Sequence, residues 1–233
     1  MVVLPGKDSE KIFINCPFDE QYEPTLRAVI FGVQANGFNP VCAKEKTGGD
    51  TRLDKILSMI YDCGYGIHDI SRVEIDTKTH YPRFNMAFEL GLFIACRQFG
   101  TGDQQNKDYL ILDTDSHNCT YSLSDIMCKD PMGHENNPEL ALHHVNDWLG
   151  QKRVYKSGKE RDYIGSKTIR DYYQEFLIDF PILCKDGKAD MNNVTHREYI
   201  YIAGKWLEKK KEMEDKKLVV TDTVTFTIGV KKN

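Results

Sequence analysis

Between residues 11 and 113 the chain alternates short apolar runs with longer segments whose apolar residues return every three or four positions. This alternation constrains the fold more than any other feature. Lys11-Ile12-Phe13-Ile14-Asn15-Cys16 ends at Pro17, which has no amide hydrogen for a ladder, so it reads as a buried first strand. Pro24 stands at a helix start, Leu26, Val29, Ile30 and Val33 follow at helical spacing, and Gly37 stops the pattern. The second cycle has a strand at 39–43, a Gly48-Gly49-Asp50-Thr51 loop, and a helix with Leu53, Ile56, Leu57 and Ile60 on one face. The third has a strand at 65–70, a loop at 71–83 and an unusually apolar helix at about 84–98; a fourth strand spans 109–113. Such alternation implies parallel strands joined by right-handed crossovers, an open, mostly parallel doubly wound α/β sheet. Ligands of these sheets bind beyond the strands' carboxyl ends, so loops 15–22, 43–52, 69–85 and 113–121 are expected to ring a site.

After residue 115 the pattern loosens into helices predicted at 139–149, 164–179 and 195–215. Charges of both signs between Glu208 and Lys217 read as a solvated helix face. Residues 218–230 are β-branched with period two and predict a terminal strand or hairpin, an edge able to pair with a second copy. The expected organisation is an α/β catalytic domain at 1–125 followed by a helical extension at 126–233. The aromatics Trp148, Tyr172, Tyr173 and Trp206 are expected in the core.

Composition excludes several classes. A net charge of −4 gives no positive field for a nucleic acid. Seven cysteines, an odd number without a Cys-x-x-Cys pair, are reduced, cytoplasmic usage. No leader is read in the first eleven residues, and no window approaches the ~18 apolar residues of a membrane span. His68 has no Cys or His at ligand spacing, so no metal is expected.

Glu89 is the leading candidate for chemistry. It lies in a helix crowded with Met86, Phe88, Leu90, Leu92, Phe93 and Ile94, where desolvation raises a carboxylate's pKa. Asn85, four residues earlier, shares its face; the alternative is a carboxylate that only serves free amides at the helix start. Asp69 is carried by its strand to the carboxyl edge, where it can accept from sugar hydroxyls or close an Asx turn. His68 reads as a packed neighbour. In the first loop Asn15 can contact a ligand, and Phe18 can stack on a base or pack beneath the loop. Ser71 and Arg72 can bind phosphate, although Arg72 can equally be solvated. The Gly48-Gly49 loop lacks a P-loop lysine and reads as a rim.

Phe13-Ile14-Asn15-Cys16-Pro17-Phe18, His68-Asp69-Ile70-Ser71 and Pro82-Arg83-Phe84-Asn85-Met86-Ala87-Phe88-Glu89-Leu90-Gly91 together resemble the nucleoside 2-deoxyribosyltransferase-like group and the adjoining bacterial TIR-like domains. The likeness covers about residues 11–113 and implies a flavodoxin-like or TIR-like sheet. It implies that Glu89 works on an N-glycosidic bond and that Asp69 is the sugar-binding acid. Arg83 stands where the transferases usually carry an aspartate, and the Asn-x-x-x-Glu-Leu-Gly form is closer to the TIR-like proteins. The implied activity is cleavage of the nicotinamide–ribose bond of NAD, a substrate rather than a required cofactor, often in antiviral defence and in a homo-oligomer. Two alternatives are a deoxyribosyltransferase or nucleotide N-hydrolase, where His68 or Arg83 can assist, and a non-catalytic nucleotide-sensing module.

Overall fold

The structure, a computed structural model, describes residues 8–42, 51–72, 80–81, 83–116, 123, 130–152, 155–156, 159–160 and 164–229. Five parallel strands, β1 (Asp8–Asn15), β2 (Asn39–Cys42), β3 (Cys63–Asp69), β4 (Asp108–Asp113) and β5 (Met132–Gly133), form a sheet in the order β2-β1-β3-β4-β5. The helices beside it are α1 (Glu23–Ala35), α2 (Arg52–Asp62), α3 (Asn85–Phe99) and α4 (Pro138–Gly150). This is the expected open, parallel, doubly wound arrangement. Strand order reverses between β1 and β3, the switch point at whose carboxyl ends doubly wound sheets bind ligands.

Local chemistry sets the element ends. Pro24 stands in the first turn of α1, and α1 ends in a Schellman motif. In that motif Gly37 has φ +76°, Phe38 N donates to Val33 O and Gly37 N donates to Gln34 O. Thr51 caps α2 by accepting from Asp54 N at 3.2 Å. Asn137 accepts from Glu139 N and Leu140 N at the head of α4, with Pro138 in its first turn.

Alternation along the strands divides the core into two layers. Phe13, Tyr109 and Ile111 join Ile56 and Ile60 of α2 and Met86, Leu90 and Phe93 of α3. Tyr65, one residue out of phase, packs edge-on against Phe38 and Trp148, on the side where α4 lies along α1. Of the four residues expected on one face of α2, only Ile56 and Ile60 are buried; Leu53 and Leu57 remain exposed.

The chain divides into two compact units, Met1–Tyr173 and Gln174–Asn233, rather than at 125/126, because α4 builds part of the first unit's core through Leu142 and Val145. Helix α5 (Ser166–Asp186) runs through the division. The second unit is held by Phe176, Phe180, Tyr199 and Trp206, with Trp206 Nε1 donating to Asp179 at 2.8 Å. Helix α6 (His196–Gly229) exposes Glu208, Lys209, Lys211 and Glu212, the expected solvated face. It also overturns one expectation: 218–229 is helical and not a terminal strand or hairpin. A period-two sequence forms a strand only when another strand accepts its ladder, whereas continuing an existing helix adds one bond per residue fixed. The expected core aromatics Trp148, Tyr172, Tyr173 and Trp206 are all buried. Among the described residues no helix is long and apolar enough to cross a membrane.

Candidate active site at the carboxyl edge of the sheet

Glu89 lies in the second turn of α3, on the face that carries Met86, Leu90 and Phe93, and is only 5% exposed. Among the described residues no hydrogen-bond donor reaches its carboxylate. Burial pushes its pKa up to about 7, against the opposing charge of Arg52 at the start of α2. The carboxyl is thus poised to hold or lose a proton near neutrality. Asn85 is exposed one turn earlier, at the head of the helix.

His68 and Asp69 are consecutive on β3 and therefore face opposite sides of the sheet. His68 turns to the α3 side, ringed by Phe13, Phe93 and Tyr109 at centroid distances of 5.8, 5.0 and 6.3 Å. Gly66 makes room for the ring, since a Cβ there would stand 2.6 Å from His68 Nε2. Burial depresses the imidazole pKa to about 3. His68 Nδ1 lies 3.1 Å from Asn15 Nδ2, which also donates to Met86 O at 2.8 Å. Because that carbonyl can only accept, the Asn15 atom is the nitrogen, His68 Nδ1 is an acceptor and the ring proton sits on Nε2. Nε2 has no partner among the described residues. His68 is thus a packed neighbour, buried among aromatic rings.

Asp69 faces the other side and is fully buried. Its Oδ2 accepts from Tyr22 Oη at 2.5 Å and lies 3.0 Å from His134 Nε2; its Oδ1 accepts from Ser71 N at 2.9 Å, closing an Asx turn. His134 Nδ1 accepts from Asn136 N at 3.1 Å, so its proton is on Nε2 and points at Asp69. Burial alone would raise the Asp69 pKa, but His134, Ser71 and Tyr22 together hold it below the ordinary carboxylate value. Burial and the Asp69 charge drive the Tyr22 phenol well above its usual value. Asp69, expected as the sugar-binding acid, is thus placed inside the fold with both oxygens engaged by Tyr22, His134 and Ser71.

Ser71 is likewise internal, its Oγ 2.9 Å from His134 Nε2. Arg72 does not stand free for a phosphate: Nε and Nη2 donate to the two oxygens of Asp19 at 3.2 and 3.3 Å. Arg83 Nη1 approaches Asp19 at 3.6 Å, and Arg83 N donates to Arg72 O, so Asp19 staples both ends of the segment between them. Burial would raise the Asp19 carboxyl, but Arg72 outweighs it and lowers the pKa. Phe18 is half-buried in the first loop. Residues 43–50, 73–79, 82 and 117–121 of the expected ring, the Gly48-Gly49-Asp50 rim among them, lie outside the described residues.

Four participants were not read from the sequence. Tyr22 and His134 complete the Asp69 network, and Arg52 is the cation nearest Glu89 in effect. Asp113, at the end of β4, is fully buried; Oδ1 accepts from Thr114 N at 2.6 Å while Oδ2 has no partner among the described residues. Burial, with the Asp69 charge adding to it, raises its pKa to about 6. An aspartate ending a strand is the one sequence signal that could have found it. Among the described residues no cluster of three or more His, Cys, Asp or Glu is arranged for a metal ion. No protein-family model matches the chain, and no curated protein shows significant similarity to it.

Proposed function

We propose that this chain breaks the N-glycosidic bond of a nucleotide, with NAD as the substrate, and that Glu89 is the carboxylate acting at the anomeric carbon. The observation that carries the reading is Glu89 itself: a carboxyl 5% exposed, without a donor among the described residues, ionising at about 7 on the helix that follows β3 of a doubly wound sheet. The Asn85-x-x-x-Glu89-Leu90-Gly91 segment agrees with it by resemblance. Ionised Glu89 attacks C1′ of the ribose or stabilises the oxocarbenium-like charge that develops there. The C1′–N bond breaks with its electron pair passing to the pyridinium ring, so nicotinamide leaves neutral without being protonated. Water then adds to C1′, displacing the Glu89 carboxylate where it had bonded there, and loses a proton to solvent or to the freed Glu89 carboxylate.

A cationic leaving group suits the surroundings. A neutral purine needs an acid at its ring nitrogen, and His68, on the α3 side of the sheet, is packed among aromatic rings. Asp69, Tyr22, Ser71 and His134 act here as an internal brace that shapes the end of β3. The test is to incubate concentrated protein and its Glu89→Gln variant with NAD, and separately with 2′-deoxynucleosides plus a free base, and to separate the products by chromatography. Glu89-dependent nicotinamide release is expected. Base exchange without nicotinamide release would replace this reading with a deoxyribosyltransferase, and identical blanks from both proteins would replace it with a nucleotide-binding module.

A further inference from the structure

We propose that Asn15 is a positioning residue for Glu89: its side-chain amide ties the first turn of α3 to the end of β1 and so sets where the carboxylate sits. The proposal rests on Glu89 as the working carboxylate, but its test requires no substrate. Asn15 is the last residue of β1, is 2% exposed and stands in register with His68 on β3. Its two amide protons are both used, one on His68 Nδ1 at 3.1 Å and one on Met86 O at 2.8 Å.

The second bond is the informative one. Helix α3 begins without a side-chain cap, since its N-cap residue is the exposed Phe84. In an α-helix the carbonyl of Met86 already accepts from the amide four residues on, so the Asn15 bond occupies its second lone pair. The bond therefore satisfies nothing that the helix leaves open; it fixes the helix in rotation and height against the sheet. Met86 and Glu89 are three residues apart on one face, so a turn or slide at Met86 carries Glu89 with it. Burying an amide at a strand end costs free energy that an apolar side chain would not, and its two bonds run to the residue beside Asp69 and to the turn that precedes Glu89.

The experiment is a titration of the Glu89 side-chain carboxyl, followed by carbon-13 NMR in the full chain. In Asn15→Leu, of similar size but without donors, the released turn admits water and the Glu89 midpoint is expected to fall by at least one pH unit from about 7. In His68→Leu, which removes the other acceptor and keeps the Met86 bond, the midpoint is expected to hold. A folded Asn15→Leu protein with an unmoved midpoint would overturn the proposal, as would an equal fall in His68→Leu, which would reduce Asn15 to core packing. If Asn15→Leu does not fold, the wild type decides. Its Asn15 side-chain amide protons should exchange slowly and shift as Glu89 titrates, with the shift lost in Glu89→Gln; freely exchanging or unresponsive protons would refute the tie. Nicotinamide release enters none of these readouts, so failure of the proposed reaction and failure of the positioning role are separable.

Discussion

Replacing Glu89 by glutamine should stabilise the first compact unit, by an amount that grows from pH 4.5 upward and is complete above about pH 7. The carboxyl is held at about 7 in the fold against 4.5 in an ordinary chain. At about 1.4 kcal/mol per pH unit this corresponds to roughly 3.5 kcal/mol of tighter proton binding, which solvent screening of the partly accessible carboxyl reduces to about 2 kcal/mol. The raised pKa makes the folded state the one that binds more protons. Below 4.5 both states are protonated and Glu89 costs nothing. Between 4.5 and about 7 the unfolded chain ionises first, so stability falls as pH rises; above about 7 the loss is complete. Glutamine cannot ionise and escapes the loss. Urea unfolding of both proteins at pH 4.5 and pH 8.5 measures the effect, with Trp148 reporting the first unit in a Trp206→Phe background. The other titrating groups are common to both proteins and cancel in the difference. The expected advantage of Glu89→Gln is near zero at pH 4.5 and about 2 kcal/mol at pH 8.5. An equal difference at the two pH values would refute the assignment of a buried, desolvated carboxyl.

Other perturbations probe the scaffold around the site. Asp69→Ala strands the Tyr22 hydroxyl and the Ser71 amide in a buried space and leaves the His134 ring proton only Ser71 Oγ, and should cost about 3–5 kcal/mol in urea unfolding. A cost below about 1 kcal/mol would mean that the network is not formed. Gly66→Ala sets a Cβ 2.6 Å from His68 Nε2 and 3.0 Å from Phe93, and should lower stability by about 1–3 kcal/mol; no change in the unfolding midpoint would contradict the packing. Asp113→Asn removes a buried carboxyl raised to about 6, so its advantage should appear only as pH rises from about 4 through 6, and a pH-independent difference would argue against it.

The parts of this fold that were legible are those whose signal is local. The β1 run ends at Pro17, α1 is framed by Pro24 and Gly37, and Glu89 stands out as a carboxylate in an apolar helix; each needs only a dozen neighbouring residues to be read. The brace around Asp69 was not legible because its donors come from Tyr22 and His134, far along the chain in loops with no period of their own. Adjacent positions on β3 send His68 and Asp69 to opposite faces, a division that the continuous run of the strand does not display in sequence. β5 is only two residues long and exists through its pairing with β4. The β-branched stretch after residue 217 misled because β propensity describes fit to a neighbouring strand, and α6 continues through it.

The most direct test of the central claim is the pH dependence of nicotinamide release from NAD, measured as kcat/KM on concentrated wild-type protein beside Glu89→Gln. If ionised Glu89 does the work, activity should rise tenfold per pH unit below about 7, level off above it, and be absent in the variant at every pH. Nicotinamide release that is independent of pH through this range, or that persists in Glu89→Gln, would contradict the account.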